Sequence, residues 1–396
     1  MKIVFLFERK IIPEEGGVER VTLLLSRELQ RRGHQVRFLS VGPRAWNTKE
    51  SNCEFLQDYI PGESEDKLQK VSNYFNEVKP EVIIIQGCEK HVTSIFEAIP
   101  AGIKKMMVYH NQPYPFLGQE RFVKSLTPWN SLDFKGRLMK GLAMTFPHLF
   151  RVLDMKRKRN YFKKIISGVD RFVLLSERFK SRLMNNTPGL DNEKIIAINN
   201  PNTFEITDED FSSRKEKMVL FVGRLSNTQK NVTGFLKVWK MFHDRFPDWN
   251  AVILGDGEDR EYIKAYAKRL GVKNLVFAGV RKDVGEFYAR SRILCMTSSY
   301  EGWGMVLGEA LSYGTVPVLY NSYEATADLI DSGVNGFLIP PYDKKKMVER
   351  MCELAASPDL CRKMTVAGKY KIQDFSVENI VDQWEKTLRL EGKNAQ

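Results

Sequence analysis

The chain has 396 residues, which is too long for one ordinary hydrophobic core and predicts two domains. Its apolar content of 43% is that of a globular protein in water, and no apolar run approaches the roughly 18 residues that a spanning helix needs. The net charge of +12 points to an anionic partner, whether nucleic acid, a phosphorylated ligand or an acidic membrane surface. Its five scattered cysteines form no CxxC pair, which argues against a metal cluster or a disulfide framework and favours reduced thiols in a cytoplasmic protein.

The first half of the chain alternates short apolar runs with amphipathic stretches. The opening run, in MKIVFLFERK, is too short for a signal peptide and predicts a buried first strand. VERVTLLLSRELQRRG follows, with apolar residues at helical spacing and Gly33 as its stop. This alternation predicts a Rossmann-like, doubly wound parallel sheet over residues 1–200. The predicted strands are KIVFLF, QVRFLSV, EVIIIQ, KKMMVYH, RFVLL and KIIAI.

A basic insertion at about residues 118–165 interrupts this first domain. Its last part, RVLDMKRKRNYFKKI, carries seven basic residues in fifteen. Two interpretations stay open: the segment lies on an anionic membrane, or it is the solvated face of a helix.

The same alternation begins again after residue 215. The polar, aperiodic stretch at 201–217 is the predicted linker, and a second doubly wound domain is predicted at 218–375. Residues 376–396 form one more amphipathic helix, which opens with a Ser-x-x-Asn cap-like start. The predicted strands of the second domain are MVLFVG, NAVILG, NLVFAG, RILCMTS, TVPVLY and GFLIP.

Glycines after the first strand form the first candidate ligand contact. EEGGVERVT places Gly16 and Gly17 at the start of a helix, where backbone can approach an anion; such glycines also serve simply to make a turn. A nicotinamide cofactor is disfavoured because this turn lacks GxGxxG. Later, ILGDGEDR has Gly255 and Gly257 but Arg260 at the third position.

Two cations bracket the loop in LFVGRLSNTQKNVTGFL. Arg224 leaves the end of a predicted strand, and Lys230 follows six residues later as a helix begins. Such a pair at the carboxyl edge of a parallel sheet suits a diphosphate, although an ordinary surface pair has the same appearance.

Two glutamates surround the glycine-rich corner in SSYEGWGMVLGEALSYG. Glu301 precedes the glycines, and Glu309 lies about five residues into the helix that follows. Carboxylates accept hydrogen bonds from vicinal hydroxyls, so the two acids suit two different sugar rings. The competing interpretations are a helix-dipole acid for Glu309 and a glycosidase pair of carboxylates.

In this order, the GG pair, GRLSNTQK, GDGE and SSYEGWGMVLGEALSYG resemble the retaining glycosyltransferases of the GT-B fold, family 4, also called glycosyl transferases group 1. The resemblance spans nearly the whole chain, and EGWGMVLGE is its specific part. It implies two Rossmann-like domains facing across a cleft, with a nucleotide-sugar donor held mainly by the C-terminal domain. It also implies that the final helix crosses back onto the N-terminal domain.

The resemblance assigns roles to single residues. Arg224 and Lys230 would bind the donor diphosphate, while Glu301 would hold the transferred sugar and Glu309 the nucleotide ribose. His110, at the end of an N-domain strand, would lie near the reacting sugar and completes the expected catalytic set. The other expected donor-binding residues are Gly16, Gly17, Gly255, Val280, Arg281, Gly302, Trp303, Gly304, Met305 and Val306.

One part of the chain departs from the family's pattern. Ser322 and Tyr323 stand where the family often has two glycines, so the donor-sugar contacts are open at that point. No Asp-x-Asp follows a predicted strand, and we expect neither a metal ion nor another cofactor. The negative charge on the leaving diphosphate must then be stabilised by Arg224, Lys230 and helix N-termini. The resemblance implies front-face attack by an acceptor hydroxyl, with the sugar's configuration retained.

The expected substrates are a UDP-sugar, or next a GDP-sugar, and a glycan or lipid-linked acceptor in cell-surface polysaccharide biosynthesis. We expect a cytoplasmic protein, on the inner face of the membrane if the basic insertion binds there. Three alternatives stay open: a nucleotide-sugar epimerase of the same fold, a basic nucleic-acid-binding protein, and a catalytically idle scaffold. The nucleic-acid reading is disfavoured because basic residues interleaved with aromatics occur only at 151–165.

Overall fold

The structure is a computed structural model that describes residues 1–8, 16–41, 57–59, 67–86, 92–115, 133–205 and 214–393. These residues divide into two compact units. Unit 1 takes its described residues from Met1–Pro113, Lys156–Thr203 and the C-terminal stretch from Phe375. Unit 2 takes them from Tyr114–Met155 and Phe204–Asp374. Residues 118–132 of the predicted insertion and 206–213 of the predicted linker lie outside the described residues.

Unit 1 is built on a parallel sheet with the strand order β3-β2-β1-β4-β5-β6-β7. Its central strands are buried on both faces, as all five residues of VIIIQ show, and this is why they read as continuous apolar runs. Ile3 pairs with Val36 on one side and with Val82 on the other. The strands are β1 (Lys2–Phe7), β2 (Gln35–Ser40), β3 (Gln57–Tyr59), β4 (Val82–Gln86), β5 (Lys104–Tyr109), β6 (Arg171–Leu174) and β7 (Ile195–Ala197).

Unit 2 is built on a second parallel sheet, with the order β10-β9-β8-β11-β12-β13. Trp239, Phe242 and Trp249 fill the core on one of its faces. The indole nitrogen of Trp239 donates to the backbone oxygen of Lys273 at 2.9 Å, so this large ring is buried without an unmet donor. The strands are β8 (Glu216–Val222), β9 (Asn250–Leu254), β10 (Leu275–Gly279), β11 (Ser291–Met296), β12 (Val316–Tyr320) and β13 (Phe337–Ile339).

Helices connect the strands and cover the sheets. Those before β8 are α1 (Gly17–Arg31), α2 (Lys67–Val78), α3 (Val92–Ala98), α4 (Phe134–Thr145), α5 (Pro147–Ser167) and α6 (Glu177–Asn186). Those after it are α7 (Asn227–Lys230), α8 (Val232–His243), α9 (Arg260–Leu270), α10 (Val284–Arg290), α11 (Met305–Ser312), α12 (Thr326–Leu329), α13 (Lys344–Ala356), α14 (Pro358–Gln373) and α15 (Val377–Lys393). Within the ranges described, no helix is both long and apolar enough to cross a membrane.

The C-terminal helix α15 belongs to unit 1, although it follows the last element of unit 2. Ser376 accepts a hydrogen bond from the backbone N–H of Asn379 at 3.2 Å, which is the cap that the sequence predicts. Arg32, at the end of α1, donates to Asp382 at 2.5 Å and to Glu385 at 3.2 Å. The predicted return of this helix to the N-terminal unit and the predicted fold of two doubly wound parallel sheets are both confirmed.

Among the strands that the structure describes, β3 is the one that the sequence analysis missed. It has three residues, Gln57–Tyr59, and lies at the edge of the sheet beside β2. Its sequence, QDY, contains no apolar run, because a short edge strand need not be buried on both faces.

Candidate active site

The carboxyl ends of β8, β9 and β11 meet at the point where the strand order of the second sheet reverses. The strand β8 pairs with β9 on one side and with β11 on the other, and all three run parallel. In open α/β sheets, ligands bind outside the carboxyl ends of the strands at such a point. The loops that leave these three strands carry Arg224, Gly255 and Glu301.

Two glycine backbones approach each other closely at this edge. Gly255 has φ of +124°, and a Cβ on it would lie 2.0 Å from the backbone oxygen of Gly223. Gly223 has φ of +152°, and its own missing Cβ would lie 3.0 Å from Cε of Lys230. Only glycine fits at either position, and the stem of Lys230 lies directly over Gly223. Sequence analysis missed Gly223, although its place directly after a strand was a usable signal.

Lys230 and Glu301 form an ion pair at the centre of the site. The ammonium of Lys230 lies 2.5 Å from Oε1 of Glu301, and the amide of Gln229 donates to Oε2 at 3.2 Å. The side chains of the pair are only 14% and 9% exposed. The sequence predicts the two residues as separate ligands, one for phosphate and one for sugar; the structure makes them partners.

Backbone bonds hold this pair in register. The loop after β11 is tied to α7, because the N–H of Ser299 donates to the backbone oxygen of Gln229 at 2.6 Å. The hydroxyl of Thr297 bonds to the backbone oxygens of Lys230 and Asn231, at 3.1 and 3.0 Å. The positions of both charges are therefore set by regular backbone rather than by flexible side chains alone.

Arg224 lies in the loop that follows β8, and its side chain is exposed. Arg224 is close enough to act on the pKa of Tyr300, the residue before Glu301. Burial raises the pKa of the Tyr300 phenol, the carboxylates of Glu301 and Glu258 raise it further, and the charge of Arg224 lowers it. The structure therefore gathers Arg224, Lys230 and Glu301 around one loop.

Glu309 is buried in the helix α11 and bound by a tyrosine. Its side chain lies on the fifth residue of the helix, as predicted, and Oε2 accepts from the hydroxyl of Tyr288 at 2.8 Å. A buried carboxylate needs such a donor, because its desolvation is otherwise unmet. Tyr288, on α10, carries no sequence signal that would have identified it.

The glycine-rich corner before α11 is packed against the two residues that depart from the family's pattern. Gly304 has φ of +80°, and a Cβ on it would lie 2.2 Å from the hydroxyl of Tyr323. The ring of Tyr323 is fully buried, and Ser322 donates to the backbone oxygen of Ser298 at 2.6 Å. Gly302 and Trp303 are buried in this corner, while Met305 and Val306 are half-buried at the start of α11. Ser322 and Tyr323 therefore pack against the backbone of this corner and support it.

A half-buried lysine, Lys215, joins the helices that carry Tyr288 and Glu309. The ammonium of Lys215 lies 2.8–2.9 Å from the backbone oxygens of Tyr288, Ser291 and Tyr313. These oxygens lie at the C-terminal ends of α10 and α11, where a cation is favourable, even though burial lowers the pKa of Lys215 to about 7.

Val280 and Arg281 follow β10, next to Gly255, whose N–H donates to the oxygen of Gly279 at 2.8 Å. Val280 is 73% exposed. The guanidinium of Arg281 is held by Asp283 through two bonds of 2.9 Å. These residues lie at the same edge of the sheet as the charged cluster.

The expected residues of unit 1 lie at the carboxyl edge of its own sheet. Gly16 precedes α1, and a Cβ on it would lie 2.0 Å from a carboxylate oxygen of Glu19. His110 follows β5, and its Nε2 contacts the side-chain oxygen of Gln86 at the end of β4. Burial lowers the pKa of His110 to about 4, so the ring is neutral at physiological pH. Gly17 is the first residue of α1.

Comparison with known proteins decides the family. The model for Glycosyltransferase Family 4 matches residues 15–201, and the model for Glycosyl transferases group 1 matches residues 203–371. The chain belongs to the GT-B glycosyltransferases of family 4. The predicted family is therefore confirmed.

Relatives of this glycosyltransferase are found at moderate identity. It is 26% identical to an uncharacterized glycosyltransferase of Haemophilus influenzae, over 95% of this chain and 97% of that one. It is 32% identical, over 47% of this chain and 51% of the other, to the Campylobacter jejuni GalNAc-alpha-(1->4)-GalNAc-alpha-(1->3)-diNAcBac-PP-undecaprenol alpha-1,4-N-acetyl-D-galactosaminyltransferase. Among solved structures, Anabaena HepE in complex with UDP-glucose superposes with a TM-score of 0.73 at 18% identity, covering 98% of this chain and 99% of HepE. The last likeness shows the fold.

Proposed function

We propose that this glycosyltransferase moves a sugar from a UDP-sugar to a hydroxyl of a glycan or lipid-linked acceptor, with retention of configuration. The acceptor would belong to a cell-surface polysaccharide under construction on the cytoplasmic side of the membrane. Support for the donor comes from HepE, which binds UDP-glucose, and support for the acceptor from the Campylobacter relative, whose substrate is an undecaprenol-linked saccharide. A GDP-sugar is the second choice of donor.

The observation that carries the proposal is the Lys230–Glu301 pair above Gly223. A side-chain ammonium has three N–H donors, and Glu301 accepts from one of them, which leaves Lys230 able to bind phosphate oxygens. Glu301 has its own acceptor capacity toward sugar hydroxyls, because a carboxylate has about four lone-pair sites and receives only Lys230 and Gln229 in the contacts described above. One compact cluster therefore offers a cation and an acceptor to adjacent parts of a sugar diphosphate.

The chemical step that follows places charge where these residues lie. As the bond between the anomeric carbon and the diphosphate oxygen breaks, negative charge grows on the leaving phosphate. Lys230 and Arg224 stabilise that charge, and this differential stabilisation lowers the barrier. The acceptor hydroxyl attacks the same face of the sugar and gives its proton to the leaving phosphate. Glu309, fixed by Tyr288, binds the ribose and contributes to donor affinity.

Two cations of the chain itself would neutralise the diphosphate, so we propose that transfer needs no metal ion. The test is the rate of transfer in the presence of a chelator, compared with the same reaction supplemented with Mg²⁺ or Mn²⁺. A rate that falls to background with chelator and returns with Mg²⁺ contradicts this part of the proposal.

The donor is tested by thermal shift with a panel of nucleotide sugars, because a ligand that binds the native state raises its stability by mass action. Transfer is then measured with the donor that binds, with and without an undecaprenol-linked or oligosaccharide acceptor. Nuclear magnetic resonance of the product gives the anomeric configuration. Turnover of the donor without any acceptor would support the epimerase alternative instead, and an inverted product would refute retention.

A further inference from the structure

Two consecutive helices, α4 and α5, concentrate the exposed apolar side chains of the described chain. Fifteen large hydrophobic side chains are exposed among the described residues, and eight of them lie between residues 134 and 153. Phe134 is 85% exposed, Val152 65% and Leu149 58%. The eight are Phe134, Leu138, Met139, Leu142, Phe146, Leu149, Val152 and Leu153. Clustered apolar exposure of this kind marks an interaction site.

The apolar side chains form a stripe on each helix. On α4, Phe134, Leu138 and Leu142 recur every four residues and therefore share one face. On α5, Leu149 and Leu153 are also four residues apart, with Val152 beside them. None of the sixteen residues from Phe146 to Tyr161 is buried. A helix on the surface of a globular protein ordinarily buries one of its faces, so four turns without one buried position are unusual.

The second half of α5 is cationic where the first half is apolar. Val152, Lys156, Arg159 and Lys163 follow one face at helical spacing, so the stripe changes from apolar to basic along a single helix. Phe162, Ile165 and Ile166 are buried on the side of the helix next to this stripe, with Phe162 against the rings of Tyr109 and Phe172. The basic half is thus anchored to the sheet of unit 1. Residues 133–167 contain ten basic and two acidic side chains.

We propose that α4 and α5 are a docking surface for an anionic lipid bilayer. Apolar side chains flanked by lysine and arginine match a membrane surface, where hydrocarbon lies beneath negatively charged headgroups. Phe134, Leu138 and Leu149 enter the bilayer, and Lys156 and Lys163 lie among the headgroups. The inference concerns binding alone and holds whichever sugar the enzyme transfers.

Charge argues for lipid against a second copy of this chain. In a symmetric dimer through this surface, the same cationic half-helix would be present on both sides of the interface. Like charges brought together in this way repel, whereas anionic headgroups attract them. Self-association therefore stands as an outcome of the test that would overturn the proposal.

The test is co-sedimentation of the full chain with vesicles, without donor or acceptor, so that failure leaves the transferase proposal unaffected. One set of vesicles is phosphatidylcholine alone and the other contains phosphatidylglycerol as well. We expect binding to the anionic vesicles that weakens as salt is raised, because each cation near an anionic surface contributes about fivefold to the binding constant at low salt.

Two variant sets test the two halves of the surface. The apolar set is Leu149→Gln, Val152→Gln and Leu153→Gln. The charge set is Lys156→Gln and Lys163→Gln, together with Lys164→Gln at the exposed lysine that follows Lys163. Either set should weaken binding by about ten- to a hundredfold. Matched controls elsewhere are Val366→Gln with Tyr370→Gln, and Lys268→Gln with Lys273→Gln and Lys345→Gln, all of exposed residues. These controls should bind as the wild type does.

A further readout does not depend on loss of function. In Leu149→Trp, the added fluorescence should be quenched by brominated lipid in anionic vesicles, compared with the wild type. Absence of binding to anionic vesicles overturns the proposal, as does equal binding by both variant sets and their controls. A wild type that sediments as a dimer in the ultracentrifuge, with the apolar set monomeric, overturns it in favour of self-association.

Discussion

Replacing Lys230 by methionine should damage both the stability and the turnover of the enzyme, and the two effects can be separated. The substitution keeps the length of the side chain but removes the charge that faces Glu301 at 2.5 Å. Two unit charges at that distance attract by about 7 kcal/mol at an effective dielectric constant of about 20, before the cost of removing them from water. Breaking a buried pair by deleting one partner costs about 3 kcal/mol, since the other charge stays buried without its counterion.

The double variant Lys230→Met with Glu301→Gln distinguishes these effects. Without the carboxylate no unpaired charge is left, so we expect about 2 kcal/mol of the lost stability to return. Turnover should not return. Lys230→Met removes stabilisation of the leaving diphosphate, which should lower kcat by about 10²–10³-fold, and the second change removes a sugar ligand as well.

Stability is measured as the urea midpoint of tryptophan fluorescence, since Trp239, Trp249 and Trp303 are all buried in unit 2. The matched control is Lys217→Met, which deletes a cation paired with Asp248 at a site where the two side chains are 57% and 54% exposed. An exposed pair contributes less than about 1 kcal/mol, so this variant should remain close to wild type in stability and kcat. A Lys230→Met protein with wild-type kcat, or one no less stable than the control, would refute the role assigned to the pair.

Three further predictions follow from other parts of the two units. In initial-rate measurements, Glu309→Gln should raise the donor KM about tenfold and Tyr288→Phe about threefold, with kcat nearly unchanged. Glu301→Gln should lower kcat as well. Near-neutral effects of both glutamate changes would contradict this division of roles. Gly255→Ala should lower the free energy of unfolding in urea by about 3 kcal/mol or more, because its Cβ would lie 2.0 Å from the backbone oxygen of Gly223. The control Gly271→Ala, with φ of +67° and open space around it, should lower it by about 1 kcal/mol. Equal losses would show that the close approach is unimportant. His110 has a pKa of about 4 in the folded state against 6.5 for the free side chain, so the unfolded state binds more protons between these two values. The free energy of unfolding should therefore fall by about 1–3 kcal/mol as the pH falls from 6.5 to 4, for this half-buried ring. Urea unfolding of His110→Gln across that range should show a flatter pH dependence than the wild type, and parallel curves would exclude the contribution.

The fold could be predicted because buried parallel strands leave a strong sequence signal. Val82–Gln86 is buried at every position, so the whole strand is apolar, and the helix α1 shows its spacing and its glycine stop equally plainly. The strand β3 could not be predicted, because its three residues, QDY, contain no apolar run that would indicate a strand.

The candidate site could be predicted only as a set of residue types. The motifs identified Lys230, Glu301 and Glu309, but a pairing between residues 71 positions apart depends on how β8 and β11 lie side by side. For the same reason Tyr288 was missed and Tyr323 was noted only as a departure from the family's pattern. Each acts through one hydroxyl, whose partner or neighbour is fixed only by the packing of α10 and of the glycine-rich corner. An isolated tyrosine in a sequence gives no hint of such a contact.

The return of α15 has a consequence for how the protein is made. The last strand of the first unit ends at Ala197, yet its helix α15 follows the whole second unit along the chain and therefore leaves the ribosome after it. Until then the ends of α1 and β2 lack Glu385, which both Arg32 and His34 contact, and Ile380, Val381, Trp384 and Leu388 have not arrived to be buried. Unit 1 therefore completes its fold only after unit 2 has been synthesised. A chain truncated after Asp374 should contain an intact unit 2 and a unit 1 that proteases cleave readily.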